Sequence, residues 1–117
     1  MRADVWLIAP EWRLRTLVRA ELLEAGWSVL ALEGWDALRE MLTDTVAAPG
    51  VLIVQLTGDE PAGVLAELAA LPVPRLVLRA TGAPDASALR RRGIDAVLSR
   101  PFRVADVVQA ARRLLQR

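Results

Sequence analysis

Four residue types on which many enzyme sites and metal centres depend are missing from this chain: it has no Cys, no His, no Tyr and no Lys. Without Cys there is no disulfide and no thiolate chemistry. Without His the commonest general base and metal ligand is gone. All 15 cationic residues are Arg, which excludes a Schiff base and a phosphate-loop lysine. No apolar run approaches the ~18 residues of a membrane-spanning helix. Asp4 and the shortness of the run from Val5 to Pro10 argue against a secretory leader. A cytoplasmic protein with no membrane segment, no enzymatic nucleophile–base pair and no cofactor is therefore expected.

The 117 residues suit one domain with a single core, and 54% hydrophobic against 25% charged residues fits a globular chain. No repeat, linker or low-complexity segment interrupts it, so a single domain over 1–117 is expected. The net charge of +1 hides an asymmetry. Residues 1–74 hold 5 Arg against 11 acids, and residues 75–117 hold 10 Arg against 3 acids. A basic surface in the second part would attract an acidic partner.

Short apolar runs alternate with helical patterns. Val5–Ile8 reads as a strand. Between Trp12 and Ala25, the apolar positions Leu14, Leu17, Val18, Leu22 and Ala25 share one helical face, and Gly26 stops that helix. Trp27–Leu32 reads as a second strand, Trp35–Leu42 as a helix with Leu38, Met41 and Leu42 inward, and Thr43–Gly50 as a loop. Val51–Leu56 is a third strand, apolar except for Gln55, as a strand covered on both faces should be. Pro61–Leu71 predicts a helix with Val64, Leu65 and Leu68 facing in, Arg75–Arg79 a fourth strand, and Pro84–Arg92 a helix anchored by Leu89 alone. Ala96–Ser99 is a fifth strand. Val104–Leu115 is the strongest helical pattern, apolar at 104, 107, 108, 111, 114 and 115.

Strand–helix five times over implies an α/β fold: a parallel sheet, doubly wound, with right-handed crossovers. Function in such a sheet sits at the C-terminal rim of the strands. The rim residues are Ala9, Pro10 and Glu11 after the first strand, Gln55 and Thr57 after the third, Arg79 after the fourth, and Ser99 and Arg100 after the fifth. Of the four Trp, Trp6 and Trp27 are expected in the core. Trp12 and Trp35 each open a helix and are expected to pack partly over the helix ends.

Four segments resemble, in order, the receiver domain of two-component response regulators. VWLIAPE is similar to that family's first strand and acid pair, and ELLEAGWSVLALEGWDAL to its helix end, second strand and following helix. PGVLIVQL is similar to the strand bearing the phosphoacceptor, and RRGIDAVLSRPF to the strand ending in Lys-Pro-Phe. The resemblance implies a CheY-like, flavodoxin-like (βα)5 sheet in the order 2-1-3-4-5. It also implies a phosphoryl site made of an acceptor Asp, an acid pair for Mg²⁺, a hydroxyl residue and a Lys.

At those positions this chain has Gln55 for the acceptor, Ala9 and Pro10 for the acid pair with Glu11 beside them, Arg79 for the hydroxyl and Arg100 for the Lys. Val97 stands where an aromatic would report activation. An amide has no nucleophilic carboxylate oxygen, so the resemblance points to a pseudo-receiver without phosphoacceptor or metal. Asp59 and Glu60 lie in the loop beyond Gln55. Arg79 and Arg100, with Gln55 between them, are expected either to be satisfied by internal acids or to grip a small anion bidentately.

The resulting expectation is a phosphorylation-independent signalling and interaction module. Its partner would be another protein, its own output domain or a second copy. The resemblance places the contact on the face of the fourth helix, fifth strand and fifth helix, through Leu89, Arg90, Arg91, Arg92, Val97 and Arg112. The Arg90–Arg92 run lacks interleaved aromatics and a reading helix, so direct nucleic-acid contact is not expected.

Overall fold

The computed structural model describes residues 3–44 and 48–116. Five strands, β1 (Val5–Ile8), β2 (Val29–Leu32), β3 (Val51–Leu56), β4 (Arg75–Arg79) and β5 (Ala96–Ser99), alternate with five helices. The helices are α1 (Trp12–Glu24), α2 (Trp35–Asp44), α3 (Val64–Ala70), α4 (Ala86–Arg91) and α5 (Val104–Leu115). The sheet is parallel throughout, in the order β2-β1-β3-β4-β5.

Strand alternation sorts the core into two layers. Val5, Leu7, Val51, Ile53, Leu76 and Leu78 point to one side, where Val18 and Leu22 of α1 and Val107, Ala111 and Leu114 of α5 cover them. Trp6, Ile8, Leu52, Val54, Leu56 and Val77 point to the other, under Leu38 of α2, Val64 and Leu68 of α3 and Leu89 of α4. Each fully buried Leu or Val contributes roughly 1.5–3 kcal/mol of transfer free energy. Two opposed sets of such residues on one strand pin its register, because a one-residue slip would exchange the layers. All six residues of β3 are buried, Gln55 among them.

Several boundaries differ from those read in the sequence. β2 begins at Val29 because Trp27 belongs to the end of α1. The Gly26 amide donates to the Leu23 carbonyl and the Trp27 amide to that of Leu22, with Gly26 at φ 96°. That pairing is a Schellman motif, and it needs a residue free to adopt positive φ. α2 runs on through Thr43 and Asp44, and the centre of the expected 43–50 loop lies outside the described residues. α3 starts only at Val64, after Gly63 at φ 90°. α4 is shortened to Ala86–Arg91 because the Asp85 side chain caps it, accepting from the Ala88 amide at 2.8 Å. Leu17 and Leu42, expected inward, are exposed at 52% and 42%. Each lies next to a better-placed neighbour that fills the core.

Candidate functional site

The C-terminal rim is built from the ends of β1, β3, β4 and β5. Gln55 sits on β3 opposite Leu78 of β4, is 3% exposed, and is the one buried polar side chain among the described residues. A buried amide needs partners, and residue 11 supplies both. The Glu11 main-chain N–H donates to Gln55 Oε1 at 3.2 Å, and Gln55 Nε2 donates to Glu11 Oε1. The same carboxylate oxygen accepts from Arg100 Nη2 at 2.5 Å. Glu11, Gln55 and Arg100 thus form a closed network across β1, β3 and β5.

Arg79 does not join it. Its Nε donates to the Pro84 carbonyl at 2.8 Å and its Nη2 to that of Ala83 at 3.0 Å, while Nη1 donates to Ser99 Oγ at 3.2 Å. The two guanidinium groups expected to converge on an anion are therefore apart. One staples the loop after β4, and the other is neutralised by Glu11. Of the two outcomes open to them in the sequence, the geometry is that of internal satisfaction.

Glu60 is also turned inward. Its carboxylate accepts from the Thr57 amide and hydroxyl, both at 2.9 Å, and from the Gly58 amide at 3.0 Å. This occupies the first two main-chain donors of the loop after β3, and the Asp59 amide donates to the Thr57 hydroxyl at 3.3 Å. Asp59 is exposed and directs no side-chain bond into the rim. The neighbouring loop is packed tightly: a Cβ at Gly58 (φ +101°) would lie 2.6 Å from the Gly82 carbonyl oxygen. The loops after β3 and β4 are in contact through glycine.

A divalent cation does not fit these residues. Ala9 is buried, and neither it nor Pro10 has a ligand atom beyond its carbonyl. Of the nearby carboxylates, Glu11 already accepts from an amide and a guanidinium, and Glu60 from the Thr57 and Gly58 donors. Arg15, which sequence reading passed over, clamps the same segment. Its Nη1 donates to the Ala9 carbonyl at 2.7 Å, and its Nη2 lies 3.8 Å from Glu33. A cation placed there would meet two guanidinium groups, and its hard-ligand requirement would go unmet. Among the described residues no group of three or more acids is placed to hold a metal. The signal for Arg15 was present in the sequence: it is a charged residue on the face of α1 that Val18 and Leu22 bury.

The remaining expected residues are distributed differently than anticipated. Leu89 is fully buried in the α2/α3/α4 layer, so it is a core anchor and not a contact residue. Val97 is half-buried against the same layer. Arg90, Arg91 and Arg92 are exposed. Arg112 lies 5.2 Å over the ring of Trp27. Trp6 is core at 3% exposed, Trp35 is buried at 8%, and Trp12 is open to solvent at 65%. The Trp35 indole donates to Glu67 Oε2 at 3.0 Å. Arg39 pairs with the same carboxylate at 2.7 Å. The Arg39 hydrogen bond, and then that of Trp35, hold the Glu67 carboxyl below its ordinary range, and Glu67 in turn raises Arg39.

No family model matches the sequence, and no curated protein matches it. Solved structures do match the fold. The receiver domain of NtrX from Brucella abortus superposes with a TM-score of 0.79 at 21% identity, over 97% of this chain and 98% of that one. A response regulator receiver protein from Sinorhizobium medicae superposes with a TM-score of 0.74 at 20% identity, over 98% and 95%. Against NtrX from Brucella abortus in complex with ADP the TM-score is 0.76, with 99% of this chain covered but only 26% of that one. The chain therefore has the CheY-like fold of response-regulator receiver domains. Among the described residues, no helix is long and apolar enough to cross a membrane.

Proposed function

We propose that this chain is a receiver-like regulatory module that works without phosphorylation, passing its signal through contact with another protein. The observation that carries the reading is the closed Glu11–Gln55–Arg100 network. The position of the acceptor is an amide, and the Glu11 carboxylate is consumed in holding that amide and a guanidinium. Arg79 supports it, since the residue in the hydroxyl position holds the loop after β4 by its Ala83 and Pro84 carbonyls and also donates to Ser99 Oγ. A switch that depends on moving this loop would first have to break those bonds.

The partner is an acidic protein surface or a domain joined to this one. Arg90, Arg91 and Arg92 are exposed at the end of α4, where no side-chain ion pair holds them among the described residues. The receiver fold accounts for about a quarter (26%) of the NtrX chain, which supports an arrangement in which such a unit is one part of a longer regulator. The test is phosphotransfer. Incubation with acetyl phosphate and Mg²⁺ is expected to leave the intact mass unchanged, and Gln55→Asp is expected to remain unmodified because no metal site is restored with it. A stable, Mg²⁺-dependent phospho-adduct on the unaltered chain would overturn the reading.

A further inference from the structure

Four large hydrophobic side chains among the described residues are exposed, and three of them lie on α1: Trp12 at 65%, Leu17 at 52% and Leu23 at 41%. Single exposed apolar residues are ordinary, but Trp12 and Leu23 share one face of this helix about three turns apart, with Leu17 well round to the side. At 100° per residue, Trp12, Thr16, Ala20 and Leu23 fall on one stripe, opposite the Val18 and Leu22 face that packs on the sheet. The stripe has a bulky residue at each end and small residues in the middle. Arg13 and Glu24 flank it on one side, about three turns apart. Neither has a side-chain hydrogen bond or ion pair among the described residues, although Arg13 lies 6.0 Å from the Trp12 ring.

We propose that this stripe is a homodimer surface, on which α1 of a second copy packs antiparallel about a two-fold axis near Val18. The self-complementarity of the helix argues for that occupant. About such an axis Trp12 faces Leu23 of the other copy, and Thr16 faces Ala20, which allows close approach at the centre. The antiparallel two-fold keeps the Arg13/Glu24 flank on the same side of both helices. Arg13 of each copy therefore meets Glu24 of the other, giving two identical ion pairs from one symmetry operation. Trp at the ends supplies the kind of rigid anchor that dominates small interfaces. On the other flank Arg19 approaches its own symmetry mate, and that contact is repulsive. Two attractive pairs and an apolar seam outweigh one like-charge contact. A pair of helices about 20 Å long nonetheless makes a small interface, and the dimer is correspondingly weak and concentration-dependent. The inference rests on α1 alone and stands whether or not the rim is silent to phosphate.

Sedimentation velocity over a concentration series tests it, with circular dichroism confirming that each variant is folded. The unaltered chain is expected to shift from monomer to dimer as concentration rises. Leu23→Asp abolishes the shift. Arg13→Glu and Glu24→Arg each weaken the dimer about tenfold, because each replaces two attractive contacts with two repulsive ones. The double exchange restores it, and Arg19→Gln tightens it. Both charge changes suit the helix dipole at their own ends, so neither should unfold α1. A chain that stays monomeric at every concentration overturns the proposal and leaves the stripe to a different protein. A dimer that survives Leu23→Asp but is lost in Arg91→Glu places the contact on α4 and overturns it equally. So does a double exchange that fails to rescue, since rescue is what the antiparallel register requires.

Discussion

The two ends of β4 each carry an arginine, and both spend their guanidinium groups largely on main-chain carbonyls. At the N-terminal end, Arg75 donates to the carbonyls of Leu68 at 3.1 Å, Ala69 at 2.5 Å and Gly93 at 2.8 Å, and lies 3.5 Å from Asp95. It joins the end of α3 to the turn after α4. At the C-terminal end, Arg79 clasps the carbonyls of Ala83 and Pro84 and the Ser99 hydroxyl. The N-terminal edge of a parallel sheet normally serves stability and the C-terminal rim serves chemistry. Here the rim is wired in the same manner as the edge opposite. Glu11, Gln55 and Arg100 satisfy one another, and Glu60 satisfies its own loop. The likeness of the two ends is that polar side chains at each are spent on internal partners.

The largest effect is expected at the edge. Arg75→Ala should lower unfolding free energy by about 3 kcal/mol in urea titration, because it removes the donors to the Ala69 and Gly93 carbonyls, a second donor to that of Leu68, and the guanidinium facing Asp95 in a partly buried site. Gly58→Ala should cost about 2 kcal/mol, from positive φ and from the approach to Gly82, and should disturb only the rim loops. Arg79→Ala should cost about 1 kcal/mol. If it costs nothing and instead creates phosphate or Mg²⁺ affinity by calorimetry, the rim is a suppressed site and the likeness fails.

A smaller effect belongs to the Trp35–Glu67–Arg39 contact between α2 and α3. Because the folded Glu67 carboxyl is held below its unfolded value, its contribution to stability is fully present above the ordinary carboxylate range. It is lost as pH falls through the depressed folded value. The unaltered chain should thus lose stability on acidification more steeply than Glu67→Gln, read by thermal melts from neutral pH downward. The smallest effect is Trp12→Ala, within about 0.5 kcal/mol of the unaltered chain in stability since that ring is open to solvent. Its influence should fall on self-association instead.

How far the sequence could be read depended on how local the signal was. Strand positions, the order of elements and both strand ends of β4 and β5 followed from apolar runs and breakers. A run such as VLIV is buried on both faces whatever its neighbours. That position 55 carries an amide and that positions 9 and 10 carry no acid was equally plain, since it concerns which atoms exist. Helix faces were read less well. Leu17 and Leu42 obey the 3.6-residue period as well as Val18 and Leu38 do, and only packing against the sheet decides which neighbour wins the core. The destination of long polar side chains was not readable at all. Arg79, Arg100 and Arg112 each reach several positions from one backbone site. Carbonyls of the loop after β4, Glu11 and the Trp27 ring respectively claimed them.

The chain by itself therefore determined the alternation of strand and helix, the two-sided burial of β3 and the amide at position 55, because these depend on residue type and period. The tertiary structure decided that the rim arginines are satisfied internally, that Leu89 is core and that Trp12 and Leu23 of α1 are left exposed. Those outcomes turn on which groups meet across tens of residues of chain. Such meetings are set by the twist and layering of the whole sheet and by no local pattern.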